Sequence, residues 1–329
     1  MTERERLTLA LEGGKPDRVP CFWAGGQLMV SSVIGNMPPM GQPEGYDWWG
    51  VHWTATENTG GMFSPTVGVA PVLTDITKWR EQVKFPDISD IDWEEAAKRD
   101  TSYLDPNKLT VFYGLANGLF ERVHFLMGFE EAMYAIVEEP EEVAALIDAI
   151  ADFYVEIIEK VGKYYHPDYF TLLDDYTHQN GAFISSSTFD EIIAPSLKKI
   201  VDAVEANGMK YIQHCCGQVQ KVLGNLHAVG IRRVEPCQPC NDVAQMIREY
   251  PDMSFMGGLD LQGVVDNPYC TEEDFRREVR RCIDEYGDDG RFSLYCVSVS
   301  MYNNAEFAPG RKLGIVLDET EKYGNRLTA

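Results

Sequence analysis

Positive charge is scarce in this chain of 329 residues. Lysine and arginine number 29 against 52 aspartates and glutamates, a formal net charge of −23 at pH 7. A surface of that sign repels phosphate backbones and anionic lipid headgroups, which argues against nucleic-acid and membrane-surface binding. Long apolar runs are missing as well: none approaches the ~18 residues of a membrane span. The charged start Met1-Thr2-Glu3-Arg4-Glu5-Arg6 leads into no signal-like apolar stretch. A cytoplasmic location is therefore expected, where thiols stay reduced. Two phosphate-binding patterns are absent too. No G-x-x-x-x-G-K-[ST] occurs, and no G-x-G-x-x-G follows the first apolar segment, so neither a P-loop nor an open dinucleotide-binding sheet is expected.

What is there, beyond residue 105, is an alternation of apolar and amphipathic segments. The pattern predicts strands at 109–115, 169–173, 209–214, 231–234, 254–256 and 292–297, with an earlier one at 19–24. Helices are predicted at 129–137, 141–165, 187–207, 219–228, 242–250, 271–286 and 311–323, the first of these following a shorter one near the N-terminus. Strand–helix units joined by short loops build a parallel sheet with right-handed crossovers. The expected class is α/β, a (β/α)8 TIM barrel forming one domain over 1–329. Residues 30–100 are irregular and rich in proline, glycine and aromatics, with Trp48, Trp49, Trp53 and Trp79 among them. This loop-rich N-terminal insertion is either a lid or substrate wall, or a cap that covers the barrel. It is also where an eighth strand would have to lie.

Barrel chemistry sits at the C-terminal ends of the strands. There the sequence concentrates metal-ligand types. In His214-Cys215-Cys216-Gly217 the alternation of a strand points His214 and Cys216 one way and Cys215 the other. Imidazole and thiolate together suit zinc, and three protein ligands with one open position is the catalytic form of such a site. Cys296, at another strand end, is the expected third ligand. Cys237 and Cys240, a C-x-x-C, are alternative ligands for a closed site. The competing reading is that these cysteines pack as small apolar groups and His214 makes a core hydrogen bond. Cys21, Cys270 and Cys282 are read as fillers. The carboxylates Asp174, Asp175, Glu235 and Asp260 also fall at strand ends. They are candidate catalytic groups that hold a proton, orient a metal-bound histidine or bind a cationic substrate; a solvated turn is the plain alternative.

Taken in order, several blocks of this chain resemble the uroporphyrinogen decarboxylase superfamily. They are Arg4-Glu5-Arg6-Leu7 with Gly13-Gly14-Lys15-Pro16-Asp17-Arg18-Val19-Pro20, then Tyr46-Asp47-Trp48-Trp49-Gly50-Val51-His52-Trp53, Lys84-Phe85-Pro86-Asp87, Leu173-Asp174-Asp175, His214-Cys215-Cys216-Gly217 and Met256-Gly257-Gly258-Leu259-Asp260. The resemblance implies a barrel and two chemistries. Porphyrinogen decarboxylases resemble one another in an arginine-rich segment after the first strand. Here that segment, residues 21–29, holds no arginine, and eight substrate carboxylates would lack their guanidinium partners. The corrinoid-dependent methyltransferase branch resembles this chain in H-x-C plus a late cysteine binding Zn2+, roles that fall to His214, Cys216 and Cys296. The residues around Cys296 depart from that branch, because a glycine-rich turn is replaced by Leu294-Tyr295-Cys296-Val297-Ser298. The resemblance thus implies a methyl group exchanged between a small methylated donor, such as an aryl methyl ether, or a thiol, and a corrinoid protein. The corrinoid would ride on that partner, since no Asp-x-His-x-x-Gly occurs here. A homodimer is compatible with this reading. The alternative is a metal-free decarboxylase or lyase using Asp174 or Asp175 as the acid.

Overall fold

The computed structural model describes residues 1–38, 42–55, 63–295 and 309–324. Helix α1, Glu3–Leu11, opens on a capping box in which Thr2 and Glu5 satisfy each other's backbone N–H groups. Its apolar face buries Leu7 and Leu11 against Phe112, Tyr169, Ile212 and Met256. These four side chains rise from barrel strands, so α1 plugs one end of the barrel with about 1.5–3 kcal/mol per buried leucine.

Seven strands form one parallel sheet: β1 Gly26–Met29, β2 Thr110–Leu115, β3 Tyr169–Leu173, β4 Lys210–His214, β5 Arg233–Cys237, β6 Ser254–Gly257 and β7 Phe292–Leu294. Each pairs with the next in sequence. A parallel bridge between Cys21 and Leu294, with the Leu294 N–H donating to the Pro20 carbonyl at 2.9 Å, brings the last strand back to the first segment. The result is a TIM-barrel-like fold. The helices after β2 that are six residues or longer are α2 Leu119–Met127, α3 Phe129–Glu138, α4 Pro140–Tyr164, α5 Ala194–Ala206, α6 Leu223–Ala228, α7 Val243–Glu249, α8 Glu272–Tyr286 and α9 Pro309–Gly324. Among the described residues no helix is long and apolar enough to cross a membrane.

Four expectations from the sequence need correction. Residues 19–24 do not run as a strand: Phe22–Gly25 makes a helical turn, and the strand follows at Gly26–Met29. A side chain at Gly25 would come within 2.4 Å of the Glu3 carbonyl, so the turn nests against α1 only because residue 25 is glycine. The strand expected at 231–234 sits two to three residues later, which places Glu235 inside β5. The single helix expected over 187–207 is broken by a π turn at Phe189–Ile193. Pro195, at the start of α5, has no N–H for a regular helical bond, and the wider turn absorbs that loss. Finally, no eighth strand joins the barrel from the described part of the N-terminal third. That region makes its own antiparallel sheet of Glu44–Tyr46, His52–Ala55 and Phe63–Pro65.

The insertion is fastened to the barrel by a buried polar knot. Arg122 of α2 pairs with Asp47 at 2.7 Å, both side chains fully buried. Trp53 donates its indole N–H to Asp47 at 3.0 Å, while Trp48 and Trp49 donate theirs to Asn36 at 2.6 and 3.1 Å. Asn117, at the end of β2, donates to the Asn36 carbonyl at 2.6 Å. Trp49, Trp53 and Trp79 are buried in the main core. Their rings are used for packing.

Candidate metal centre

Adjacent strands bring the site together by register. Leu173, His214 and Glu235 are cross-strand partners on β3, β4 and β5, and paired residues of parallel strands share a face. The Glu235 carboxylate therefore meets the His214 ring, with Oε1 2.9 Å from Nδ1. The chain leaves β3 at Asp174-Asp175 and β4 at Cys215-Cys216. His214 Nε2 lies 3.4 Å from Cys216 Sγ and 3.9 Å from Asp175 Oδ1. The Cys216 N–H donates to that same Asp175 oxygen at 2.6 Å, locking the two loops together. Asp175, His214 and Cys216 present one ligand atom each within 4.8 Å of one another. Cys215 points away and is buried, its sulfur accepting from the Tyr176 N–H at 3.4 Å.

Gly217 makes the next turn feasible. Its φ is +86°, and a side chain there would lie 2.6 Å from the His178 backbone. The hairpin of Thr177–His178 and Gly181–Ala182 packs at that point, and Gln218 donates its N–H to the His178 carbonyl at 3.0 Å.

The donor set fits zinc. A tetrahedral ion with bonds of about 2.0 Å to nitrogen and 2.3 Å to sulfur holds its ligand atoms about 3.3–3.6 Å apart. The nitrogen–sulfur spacing already has that value, and the carboxylate needs only a small rotation. Glu235 occupies Nδ1 and leaves Nε2 to face the thiol and Asp175, the outer support that metal-bound histidines commonly have.

Electrostatics sharpens the picture. Burial works against an imidazolium at His214, but Glu235 and Cys216 outweigh it and hold its pKa well above the usual range. Burial pushes the Cys216 thiol up, with His214 pulling the other way. Glu121, in the first turn of α2, is raised well above the usual carboxyl range by burial and then by Asp175 and Asp174. The sequence reading missed this residue. Its signal was an acid just after Asn117-Gly118, where the chain leaves a barrel strand.

The other expected residues fall in different places. Asp174 is fully buried and its two oxygens accept from the Phe120 and Glu121 N–H groups at 3.1 and 2.9 Å. It caps α2 from the end of the neighbouring strand, and burial raises its pKa to about 6. A side chain at Gly118 would strike Asp174 at 2.4 Å. Asp260 caps its own turn through the Gly263 N–H at 2.8 Å and is not part of the cluster. Cys237 is buried at the end of β5, and Cys240 is half-buried on the following loop. Cys296 lies outside the described residues. Cys21 and Cys282 are core fillers, whereas Cys270 is half-exposed on a loop, which corrects the filler reading for that residue. A cavity of about 430 Å³ bordered by Thr8, Asp168 and Lys210 opens at the opposite end of the barrel.

The family model described as uroporphyrinogen decarboxylase (URO-D) matches residues 104–296. The chain belongs to the uroporphyrinogen decarboxylase family. This match spans β2 through the residue after Tyr295 and so contains the whole cluster. No curated protein matches the chain. Among solved structures, a methyltransferase from Methanosarcina mazei aligns with 98% of this chain and 99% of its own, at 12% identity and a TM-score of 0.70. Xylanase B from Clostridium stercorarium F9 aligns with 64% of this chain and 73% of its own, at 11% identity and a TM-score of 0.39. At such identities the first likeness establishes the barrel fold, and the second carries no argument.

Proposed function

We propose that this member of the uroporphyrinogen decarboxylase family is a zinc-dependent methyltransferase. It exchanges a methyl group between a small methylated donor, or a thiol, and a corrinoid carried on a separate protein that docks over the barrel mouth. The observation that carries this reading is the Asp175–His214–Cys216 cluster with Glu235 behind the imidazole. The methyltransferase of the same fold supports it. Zinc would supply a Lewis acid that polarises a donor heteroatom or keeps a thiol deprotonated.

The chain's own residues then have distinct tasks. His214 and Cys216 hold the ion. Asp175 adds an oxygen and fixes the Cys216 backbone. Glu235 keeps the imidazole in the orientation that offers Nε2. The decarboxylase alternative fits less well: residues 21–38 contain neither arginine nor lysine, and Asp174 has both oxygens engaged in capping α2.

Metal analysis of the purified protein tests the site. About one zinc per chain is expected, lost in His214→Ala and in Cys216→Ala. Unchanged zinc in both variants would sink the proposal. Comparing Asp175→Ala with Cys296→Ala then separates a carboxylate from a thiolate as the third ligand. Methyl transfer to reduced cobalamin, followed by the cobalt spectrum over a panel of donors, tests the reaction itself.

A further inference from the structure

Cys216 lies past the end of β4, where no strand pairs with it. Side chains from the two flanking loops serve its backbone and that of Gly217 instead. On the β3 side, the Cys216 N–H donates to Asp175 Oδ1 at 2.6 Å, and its carbonyl accepts from the Thr177 hydroxyl at 2.6 Å. On the β5 side, the Gly217 N–H donates to Gln238 Oε1 at 2.7 Å, and the Gly217 carbonyl accepts from Asn241 Nδ2 at 2.9 Å. All four backbone polar groups of this turn are thus satisfied, each by a different side chain.

Gln238 and Asn241 belong to the segment Cys237-Gln238-Pro239-Cys240-Asn241. Neither of its sulfurs joins Asp175, His214 and Cys216 in the cluster. The amides beside them are what reach the Cys216 turn. Asn241 is buried, and Nδ2 also donates to the Gln238 carbonyl at 2.9 Å while Oδ1 accepts from the Gln220 N–H at 3.0 Å. With acceptors at one end and a donor at the other, this amide can sit only one way round. The segment is anchored in turn, because the Gly258 N–H donates to the Cys237 carbonyl at 2.8 Å and Gln218 Nε2 to the Cys240 carbonyl at 3.1 Å. Cys216 Sγ is two bonds beyond this gripped backbone and 3.4 Å from His214 Nε2, the spacing that a tetrahedral ion needs. A ligand already held in its binding geometry has little freedom left to lose when the ion arrives.

We propose that Gln238 and Asn241 are positioning residues of the metal centre, which aim the Cys216 thiolate by holding the Gly217 peptide from both ends. The inference rests on the zinc reading of the site and not on methyl transfer. The two amides work in opposite senses, since Gln238 accepts and Asn241 donates. Gln238→Glu therefore keeps its function. Asn241→Asp loses the donor and sets a carboxylate oxygen against the Gly217 carbonyl.

Competition with a chelator on the purified full chain should show zinc held about tenfold more weakly in Gln238→Ala and in Asn241→Asp. Gln238→Glu should restore the affinity. With cobalt(II) in place of zinc, the thiolate-to-cobalt charge-transfer band should weaken in the same two variants and return in Gln238→Glu. Asn225→Ala is the control: it removes another buried amide, one bonded to Ser186 and Asp190, and should change neither readout. Unchanged zinc affinity and cobalt band in both Gln238→Ala and Asn241→Asp, or an equal loss in Asn225→Ala, would overturn the inference. A wild type that binds no zinc would overturn the metal reading. Hydrogen exchange over residues 215–220 of the chelator-treated protein reads the grip without the ion. It should speed up in Gln238→Ala and Asn241→Asp, and unchanged exchange would overturn the positioning role by itself.

Discussion

Two neighbouring residues of α2, Glu121 and Arg122, lead opposite lives. Arg122 turns into the flank of the barrel, fully buried, with Nη1 on Asp47 and Nη2 3.3 Å from the Asn36 carbonyl. Its guanidinium also lies 5.0 Å from the centre of the Trp49 ring. Glu121 stands in the field of the carboxylates Asp174 and Asp175, the His214 ring and Arg122 itself, and burial with the two carboxylates raises its pKa well above the usual range. One charge is matched by a partner and ties the insertion to the barrel. The other is buried beside like charges, which favours its protonated, neutral form. A buried charge survives where the fold supplies a partner, whereas a buried acid beside other acids takes up a proton.

Removing Arg122 should cost most. Arg122→Met leaves Asp47 buried with backbone and indole donors but no cation, and unfolding in urea should show a loss of about 3–5 kcal/mol. A loss below about 1 kcal/mol would mean that the knot is not what fastens the insertion. Glu235→Gln comes next. It should leave the melting temperature near the wild-type value but weaken zinc about 10–100-fold in competition with a chelator.

Asp174 offers a test through pH. Its folded pKa of about 6 lies above the ordinary value of 3.8. A raised carboxyl pKa means the protonated form is favoured by folding, so that contribution is complete below about pH 4 and is lost as pH rises through 6. Asp174→Asn cannot titrate. Relative to it, the wild type should lose about 1–3 kcal/mol between pH 4 and 7 in denaturant titrations. The smallest effect belongs to Glu121→Gln, whose stability should stay within about 0.5 kcal/mol of wild type or rise, because no internal partner is lost. A large destabilisation would erase the contrast with Arg122.

Much of the barrel was legible in the chain. The apolar run of 169–173 and the capping residue Thr271 before α8 are local signals, and the structure reproduces both. The register shift in β5 was not legible, because Arg232, Arg233 and Glu235 interrupt the apolar run that would mark the strand's bounds. Only the hydrogen bonds to β4 and β6 choose its frame. That choice puts Glu235 beside His214 rather than in a loop. Within the site, His214 and Cys216 share a motif and a strand face, so their proximity was readable. Asp175 was visible as an acid at a strand end, but its place as a neighbour of the Cys216 backbone was not. Glu121 was missed because helix first turns carry acids for ordinary dipole reasons.

The sequence by itself determined the alternation of strands and helices, the scarcity of cations, and the pairing of imidazole with thiolate in one motif. These depend on composition and on spacings of a few residues. The tertiary structure alone decided which carboxylates gather round that motif and which serve the scaffold. Asp174 and Asp175 are adjacent, yet one caps α2 and the other faces His214. The physical reason is that opposite faces of a chain leaving a sheet meet different neighbours, and the neighbours come from residues far away in sequence.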